Sequence, residues 1–485
     1  MQHPDNLKNK VFSGVIWKGL ERVCAQGVSL IVSITLARIL VPNDYSVVSI
    51  ATIFFSFCDL FISSGLNSAL VQKKDSDKLD YSTIFVTNIT FAFILYWVMF
   101  FCAPYIANLY DKPIVTPIIR VMALSFFINA YKAVLSAKVS SEMQFRKFFF
   151  STIIGTVISA IIGIVMAIKG FGAWALVAQQ MSNSLIDSII LTVTTRYYFG
   201  FRFSFARFKG LFKYGGKIFL ASILSVAYDQ CKPLIVGIKF STDDLAYYNK
   251  GNSFPALINS VGNNTLTSAL FPAMAKVQDD KPLILSMTRR FMRLSSFFIF
   301  PVMIGLFGVS ENFVRVVLTE KWLPIVPYIT VFCFSYMLDL IQIGNLQAIK
   351  ALGRSDYILK MEIIKKVSYA IIIIVFVIMS DSPIALALSS LVCGVVATIV
   401  NTYPNKKLIG YSFAGLLRDT MPNLIPAAIM GAVVYFMNGL SINVYLLLVL
   451  QVFAGCVIYF GIAFLLKNEN LIYIKDNYKS LLHRG

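Results

Sequence analysis

The chain has 485 residues, 57% of them hydrophobic and 14% charged, with a formal net charge of +19. A soluble domain keeps about a quarter of its residues charged, so these proportions exclude an ordinary water-soluble protein. The absence of alternating ten-residue strands excludes an outer-membrane barrel, and in so apolar a chain the positive excess belongs to one membrane face rather than to a nucleic-acid surface.

Apolar residues recur in stretches of about 20, the length of a helix that crosses the hydrocarbon core. A helix satisfies its own backbone hydrogen bonds where no water is available. In chain order the pattern predicts spans over 12–40, 44–71, 81–103, 114–137, 147–168, 171–195, 211–238, 243–271, 289–316, 322–350, 357–379, 382–404, 418–438 and 442–466. The fold class is therefore an all-α polytopic membrane protein of about fourteen transmembrane helices, joined by short connections with no inserted soluble domain. Pro42, Pro104, Pro113, Pro324, Pro383 and Pro422 mark expected span edges. With the N-terminus inside, 31 of the 43 lysines and arginines fall on cytoplasmic tails, loops and adjoining span ends, 5 on the opposite side and 7 within spans. That bias places both termini in the cytoplasm of a multi-pass inner-membrane protein. No cleavable signal peptide is evident, because residues 1–10 are polar and the apolar stretch after them is long.

Between the sixth and seventh spans, Arg196 to Lys217 is the most basic stretch and carries nine aromatic residues from Tyr197 to Tyr214. The expected role is an interfacial amphipathic segment on anionic headgroups; the sharper alternative is a surface that recognises phosphate. The stretch also separates two halves. A shift of 200 residues aligns Phe12 with Phe212, Leu20 with Leu220, Asp44 with Asp244 and Phe54 with Phe254, and Ser68-Ala69-Leu70 with Ser268-Ala269-Leu270. Spans 1–2 thus resemble spans 7–8 and start on the same side, a parallel repeat common in two-lobed transporters. The expected organisation is an N-terminal lobe over 1–195, a basic linker over 196–210 and a C-terminal lobe over 211–404. These two six-helix lobes are in pseudo-twofold arrangement, and two further helices and a tail follow over 405–485.

Neither metal nor cofactor chemistry is indicated. The seven cysteines form no CxxC pair and read as small buried apolar residues. His3 and His483 lie in the terminal tails. No Gly-Lys-Ser/Thr phosphate loop is present, so the sequence offers no nucleotide site. Gly155, Ser159 and Gly163 form a small-residue stripe that predicts close helix packing.

Charges inside spans cost at least about 2.5 kcal/mol each at the helix centre, so each asks for a partner or a wet cavity. Lys18, Glu21 and Arg22 lie on one face of span 1; span 7 carries Asp229 and Lys232, and span 8 carries Lys250 among Asn249, Asn252, Asn259, Asn263 and Asn264. Asp59, Arg120, Lys132, Gln179, Gln180, Asp187 and Asp339 are further polar positions. Two readings are open: local ion pairs, Glu21 with Lys18 or Arg22 and Asp229 with Lys232, or a hydrated cavity between lobes whose cations hold an anionic substrate. The second has Lys18, Arg22, Lys132, Lys232 and Lys250 as substrate cations. Glu21, Asp59 and Asp229 are then candidates for ion coupling, since a carboxylate at low dielectric can titrate near neutrality.

Several runs resemble one family. Leu36-Ala37-Arg38-Ile39-Leu40 with Pro42 and Asp44-Tyr45 is similar to the end of the first helix in Wzx-type polysaccharide exporters of the multidrug/oligosaccharidyl-lipid/polysaccharide flippase superfamily. So are Gly65-Leu66 with Ser68 to Lys74, Gly172 to Gln180, Leu245 to Lys250, Phe271 to Asp280, and Gly353-Arg354-Ser355-Asp356. The branch with colanic-acid and teichuronic-acid exporters is the nearest in pattern, with Ser46 where that branch commonly has glycine. The resemblance covers about residues 10–415. It implies a two-lobed alternating-access fold and an undecaprenyl-diphosphate-linked oligosaccharide as substrate, with membrane lipids and a polysaccharide polymerase machinery as partners. It also implies coupling to an ion gradient and no enzyme activity. The alternatives are a multidrug exporter of the same fold, a membrane polymerase or glycosyltransferase, and an uncoupled scramblase. Short outer loops argue against the enzyme, and cations within spans argue against a pump for cationic drugs.

Overall fold

Long apolar stretches become helix from end to end, and no strand occurs among the described residues. The computed structural model describes the backbone of residues 4–471 except 64, 74 and 75. It describes side chains from residue 17 onward, leaving out 214, 217, 221, 263–269, 271, 272, 340 and 355. His3, His483 and the side chains of Lys217, Asn263 and Asn264 lie outside the described residues.

The helices in chain order are α1 (Pro4–Ile39), α2 (Pro42–Ser63), α3 (Leu66–Gln72), α4 (Lys78–Leu109), α5 (Val115–Met122), α6 (Ser125–Ser141), α7 (Phe145–Ile168), α8 (Ala173–Thr195), α9 (Phe205–Lys239) and α10 (Thr242–Ala275). After these come α11 (Lys281–Val317), α12 (Val326–Ala351), α13 (Ser355–Met379), α14 (Pro383–Leu408), α15 (Phe413–Phe436) and α16 (Val444–Leu465), with 3-10 turns before α12 and after α15. Eleven helical stretches are long and apolar enough to cross a membrane. The helices α8, α10 and α13, of 23, 34 and 25 residues, have the length but not the apolarity. Their polar residues are the reason, and several of them line the cavities described below.

The structure departs from the expected edges in three ways. Helices α1, α9 and α11 begin several residues before the apolar stretches do, because a helix continues past the hydrocarbon boundary. Pro104 and Pro422 lie inside α4 and α15 rather than at their ends. Two expected spans are each built from two helices, α2 with α3 and α5 with α6. At the first of these breaks Gly65 takes a left-handed conformation, φ 68°. Just beyond it, the Asn67 amide donates to the carbonyls of Ile62 and Ser63 at 2.9 and 3.1 Å. Those carbonyls end α2 and have no helical partner of their own.

The chain forms two compact units, 1–246 and 247–485, with the division inside α10. In the first unit α7 lies close along α8: a Cβ at Gly163 would come within 2.7 Å of the Gln179 side chain, and one at Gly155 within 3.2 Å of Asp187. The small-residue stripe therefore makes a close helix–helix seam. Helix α9 groups with this unit because it packs on α2, α3 and α4. Its Gly215 faces Gly65, and a Cβ at Gly215 would sit 2.7 Å from the Gly65 carbonyl.

The repeated aspartates do equivalent work. At the α1–α2 turn the Val41 N–H donates to Asp44 Oδ2 at 3.1 Å. At the α9–α10 turn the Ser241 N–H donates to Asp244 Oδ2 at 3.2 Å while Ser241 Oγ accepts from the Asp244 N–H at 3.0 Å. The second turn is a full capping box and the first is half of one, since Val41 has no hydroxyl. Ser46, in place of the family's glycine, is fully buried and donates to the Asn43 carbonyl at 2.7 Å.

In the second unit, α15 and α16 are tied to α11 by polar groups near each end. Buried Gln451 donates to the Val434 carbonyl and to Asn438 Oδ1 at 2.9 and 2.8 Å, and accepts from Asn312 at 3.0 Å. Towards the other end Arg293 pairs with Asp419 at 2.8 Å and Asn423 donates to Ser296 Oγ at 2.8 Å.

The Gly65–Gly215 contact gives a direct test. Gly65→Ala meets both a left-handed backbone, costing about 1–2 kcal/mol, and overpacking of about 1–3 kcal/mol. Gly170→Ala has a similar φ of 80° with nothing within 4 Å and carries the first cost alone. Thermal unfolding of detergent-solubilised protein should rank the melting midpoints wild type, Gly170→Ala, Gly65→Ala, in falling order.

Candidate functional site

Polar side chains in the first unit converge on two neighbouring cavities. The larger, about 660 Å³, lies among α2, α3 and α6; the smaller, about 290 Å³, lies among α2, α5, α6 and α8. Asp59 and Asn129 line both. The Asn129 amide donates to Asp59 Oδ1 at 3.2 Å, joining α2 to α6. One turn along α6, Lys132 reaches Asp187 on α8 at 2.5 Å. Of the expected site residues the structure thus brings Asp59 and Lys132 to one cavity. It also gives Lys132 a carboxylate partner, so that lysine is charge-compensated rather than an open phosphate ligand.

The second unit repeats the motif with its parts exchanged. The 200-residue shift that matches the halves places Asp59 opposite Asn259, and Asn259 donates to Asp339 Oδ2 on α12 at 3.2 Å. An acid on the first helix and an amide on the second become an amide on the first and an acid on the second. On the same stretch of α10, Asn252 accepts from the Tyr336 hydroxyl at 2.9 Å. Lys250 is buried, its ammonium 5.8 Å from the Trp322 ring and 5.9 Å from the Phe254 ring, close enough for cation–π attraction.

The remaining expected residues sit elsewhere. Lys18 pairs with Glu21 at 2.7 Å, and Glu21 also accepts from Thr152 on α7 at 3.2 Å; the local ion pair is the arrangement seen at the start of the first span. Arg22 is exposed. On α9, Lys232 is buried with its ammonium 5.8 Å from the Tyr228 ring, while Asp229 is exposed. Among the described residues no three His, Cys, Asp or Glu side chains gather to hold a metal ion.

Sequence reasoning missed Asn129 and Asn183. The signal for Asn129 was present: it stands three residues before Lys132, so both fall on one face of α6. Asn183 has no such marker; its Oδ1 is buried with no hydrogen-bond partner.

The basic linker is placed differently from the interfacial expectation. Residues 197–204 run extended over α4, where the Arg202 N–H donates to Ser82 Oγ at 2.9 Å and Ser82 donates to the carbonyls of Gly200 and Arg202. Phe199 stacks on Phe85 at 5.2 Å, and Tyr197 meets Tyr81 edge to face at 5.8 Å. Arg207 pairs with Asp77 and with fully buried Asp80, and Lys73 also reaches Asp80 at 2.5 Å. Tyr198 and Phe201 point out, 78% and 81% exposed. Over 197–199 the side chains alternate, Tyr197 and Phe199 inward and Tyr198 outward; Phe201, although largely exposed, still lies 5.5 Å from the Phe85 ring, so the stretch is docked on the protein with part of its surface open.

A family model described as polysaccharide biosynthesis protein matches residues 35–327, more than half of the chain. The chain belongs to that family. It is similar to the lipopolysaccharide biosynthesis protein WzxC of Escherichia coli (strain K12), 24% identical over 370 residues and 74% of each chain. It is also similar to the teichuronic acid biosynthesis protein TuaB of Bacillus subtilis (strain 168), 22% identical over 72% of this chain and 73% of that one. Among solved structures, the lipid II flippase MurJ in an inward closed conformation shares the fold. The TM-score is 0.76 at 14% identity, with 94% of this chain and 100% of that chain covered. The motif resemblance and the fold therefore agree on an all-helical polytopic architecture within the polysaccharide biosynthesis family.

Removing one partner of a mostly buried ion pair strands the other charge. Lys132→Met leaves Asp187, whose Oδ1 already has no hydrogen-bond partner, and should cost about 2 kcal/mol. The double change Lys132→Met with Asp187→Asn should recover most of it, a coupling readable in a double-mutant cycle of unfolding.

Proposed function

We propose that this protein translocates a polyprenyl-diphosphate-linked oligosaccharide from the cytoplasmic to the outer leaflet of a bacterial inner membrane, by alternating access, for surface polysaccharide assembly. The observation that carries the reading is a pair of hydroxyl- and amide-lined cavities set among membrane-spanning helices, in a family of polysaccharide biosynthesis proteins. Supporting it, relatives named for lipopolysaccharide and teichuronic acid biosynthesis cover most of the chain, and a lipid II flippase shares the fold. The lipid tail stays in the bilayer while the polar head crosses; the protein moves its substrate without chemical change.

In this scheme Arg22 and Lys18 meet the diphosphate at the cytoplasmic end of the first span, Lys18 remaining balanced by Glu21. Lys232 on α9 and Lys250 on α10, each buried, take it over at a later stage. Glu21, Asp59 and Asp229 are the coupling carboxylates to test, Asp59→Asn first, since it removes charge while keeping size. Polymerase machinery is the proposed downstream partner.

The scheme takes α2 with α3 and α5 with α6 as single crossings, for fourteen spans in all, and places both termini in the cytoplasm. Alkaline phosphatase fused after Lys112 or Lys239 should be active, and fused after Lys276 inactive. The reverse pattern would invert the topology.

Translocation is tested with purified protein in proteoliposomes carrying a fluorescent undecaprenyl-diphosphate oligosaccharide quenched from one side. Protein-dependent loss of protection, faster with an imposed ion gradient, is expected. Lys250→Met should slow it roughly tenfold, the scale of one lost charge-assisted hydrogen bond. Efflux of a cationic dye with no lipid movement would instead identify a drug exporter.

A further inference from the structure

The two cavities of the first unit differ in chemistry from a diphosphate site. Of the twelve residues around the smaller one, four carry hydroxyls, four carry amides and Asp59 alone is charged. The larger adds one further charge, Lys132, which Asp187 already balances at 2.5 Å. A diphosphate brought out of water requires cations or many N–H donors, and these walls offer no uncompensated cation. Nor is the space that of a bare metal ion: a hard cation draws its oxygens to within about 2.6 Å, whereas the smaller cavity holds about 290 Å³.

What the walls do offer is unspent neutral hydrogen-bonding capacity. The Gln180 amide and the Ser125 and Ser184 hydroxyls make no hydrogen bond within the described residues. Asn183 lines the same wall, although its buried, unpartnered Oδ1 lies towards Gly155 of α7. Gln180 is exposed and Ser125 and Ser184 are half-buried, so these groups are accessible and can exchange water for the polar groups of a ligand. Phe55, Met122 and Met181 add apolar surface to the same wall. Alternating donors and acceptors beside an apolar face, with a single acid, match a ring that carries hydroxyl and N–H groups on its rim and C–H groups on its face.

We propose that this pair of cavities is a glycan subsite that reads the uncharged sugars of the lipid-linked oligosaccharide, separately from the cations that meet its diphosphate. Asp59 and Asn129, shared by both cavities, receive hydroxyl or acetamido N–H donors of adjoining sugars, and Gln180, Asn183 and Ser184 line the inner one. The inference rests on the translocation reading above and assigns its specificity to the first unit.

The test measures binding of two lipids to the full-length detergent-solubilised protein. One is the undecaprenyl-diphosphate oligosaccharide extracted from the producing bacterium deleted for this gene. The other is undecaprenyl diphosphate alone. Wild type should bind the sugar-bearing lipid more tightly. Gln180→Leu combined with Ser184→Ala, two side chains with no internal partner, should weaken the sugar-bearing lipid roughly tenfold, as expected for two neutral hydrogen bonds. Binding of the bare lipid should stay unchanged, which also reports that the variant is folded. Equal weakening of both lipids, no weakening of either, or equal wild-type affinity for the two would overturn the subsite and leave translocation standing. A wild-type protein that binds neither lipid overturns the translocation reading and the subsite with it.

Discussion

A polar side chain on a membrane-spanning helix has no water to turn to, and this architecture is organised by that constraint. Where the second unit needs two late helices held against α11, Gln451 and Asn423 bond to backbone and side chains across the gap. Where the first unit carries a lysine on α6, an aspartate on α8 meets it. The groups left unsatisfied are correspondingly informative. Among the described residues they occur in both units, on Asn183 of α8, on Asn259 of α10 and on Asn401 and Asn405 of α14, while the lipid-facing surface is dominated by Ile, Leu, Val and Phe.

Most helices were legible from apolar run length, because spanning hydrocarbon imposes a length that any reader of the sequence can count. The breaks were not. The α5–α6 junction interrupts a run whose hydropathy continues, and at Gly65 the short polar stretch Ser63 to Ser68 looks no different from the polar faces of other spans, so backbone geometry reveals both. Individual polar residues were visible as expensive, but their partners were not: Lys132 and Asp187 are far apart in sequence, and nothing local links them. The linker shows the same limit. Its composition is that of a headgroup-binding segment, yet its docking edge is fixed by Ser82, Asp77 and Asp80, more than a hundred positions earlier. Asp77 is held below the usual carboxylate range, chiefly by the Asp80 backbone N–H and further by Arg207 and Lys73. Asp77 therefore keeps its charge to lower pH than an ordinary carboxylate, and its share of the clasp is lost as acidification protonates it.

The exchange of acid and amide between Asp59–Asn129 and Asn259–Asp339 shows what the two halves have kept in common. Each has a carboxyl group hydrogen-bonded to one carboxamide, on corresponding helices, so each half carries one acid at that pair. Which helix supplies it is free to vary, because a hydrogen bond between acid and amide is satisfied from either side. Aligning the halves by residue identity misses this; aligning them by pair preserves it.

The seam between Gly65 and Gly215 has a mechanical meaning of its own. Two glycines bring backbone against backbone with no methyl or ring from either passing into the other. Around that bare patch the side chains do interdigitate: the Phe219 ring of α9 meets Phe61 of α2 edge to face at 4.8 Å, and Leu211 packs in one cluster with Leu66 and Leu70. The break between α2 and α3 is thus held in register by the rings and leucines on either side, while the glycine pair sets how near the two backbones can come.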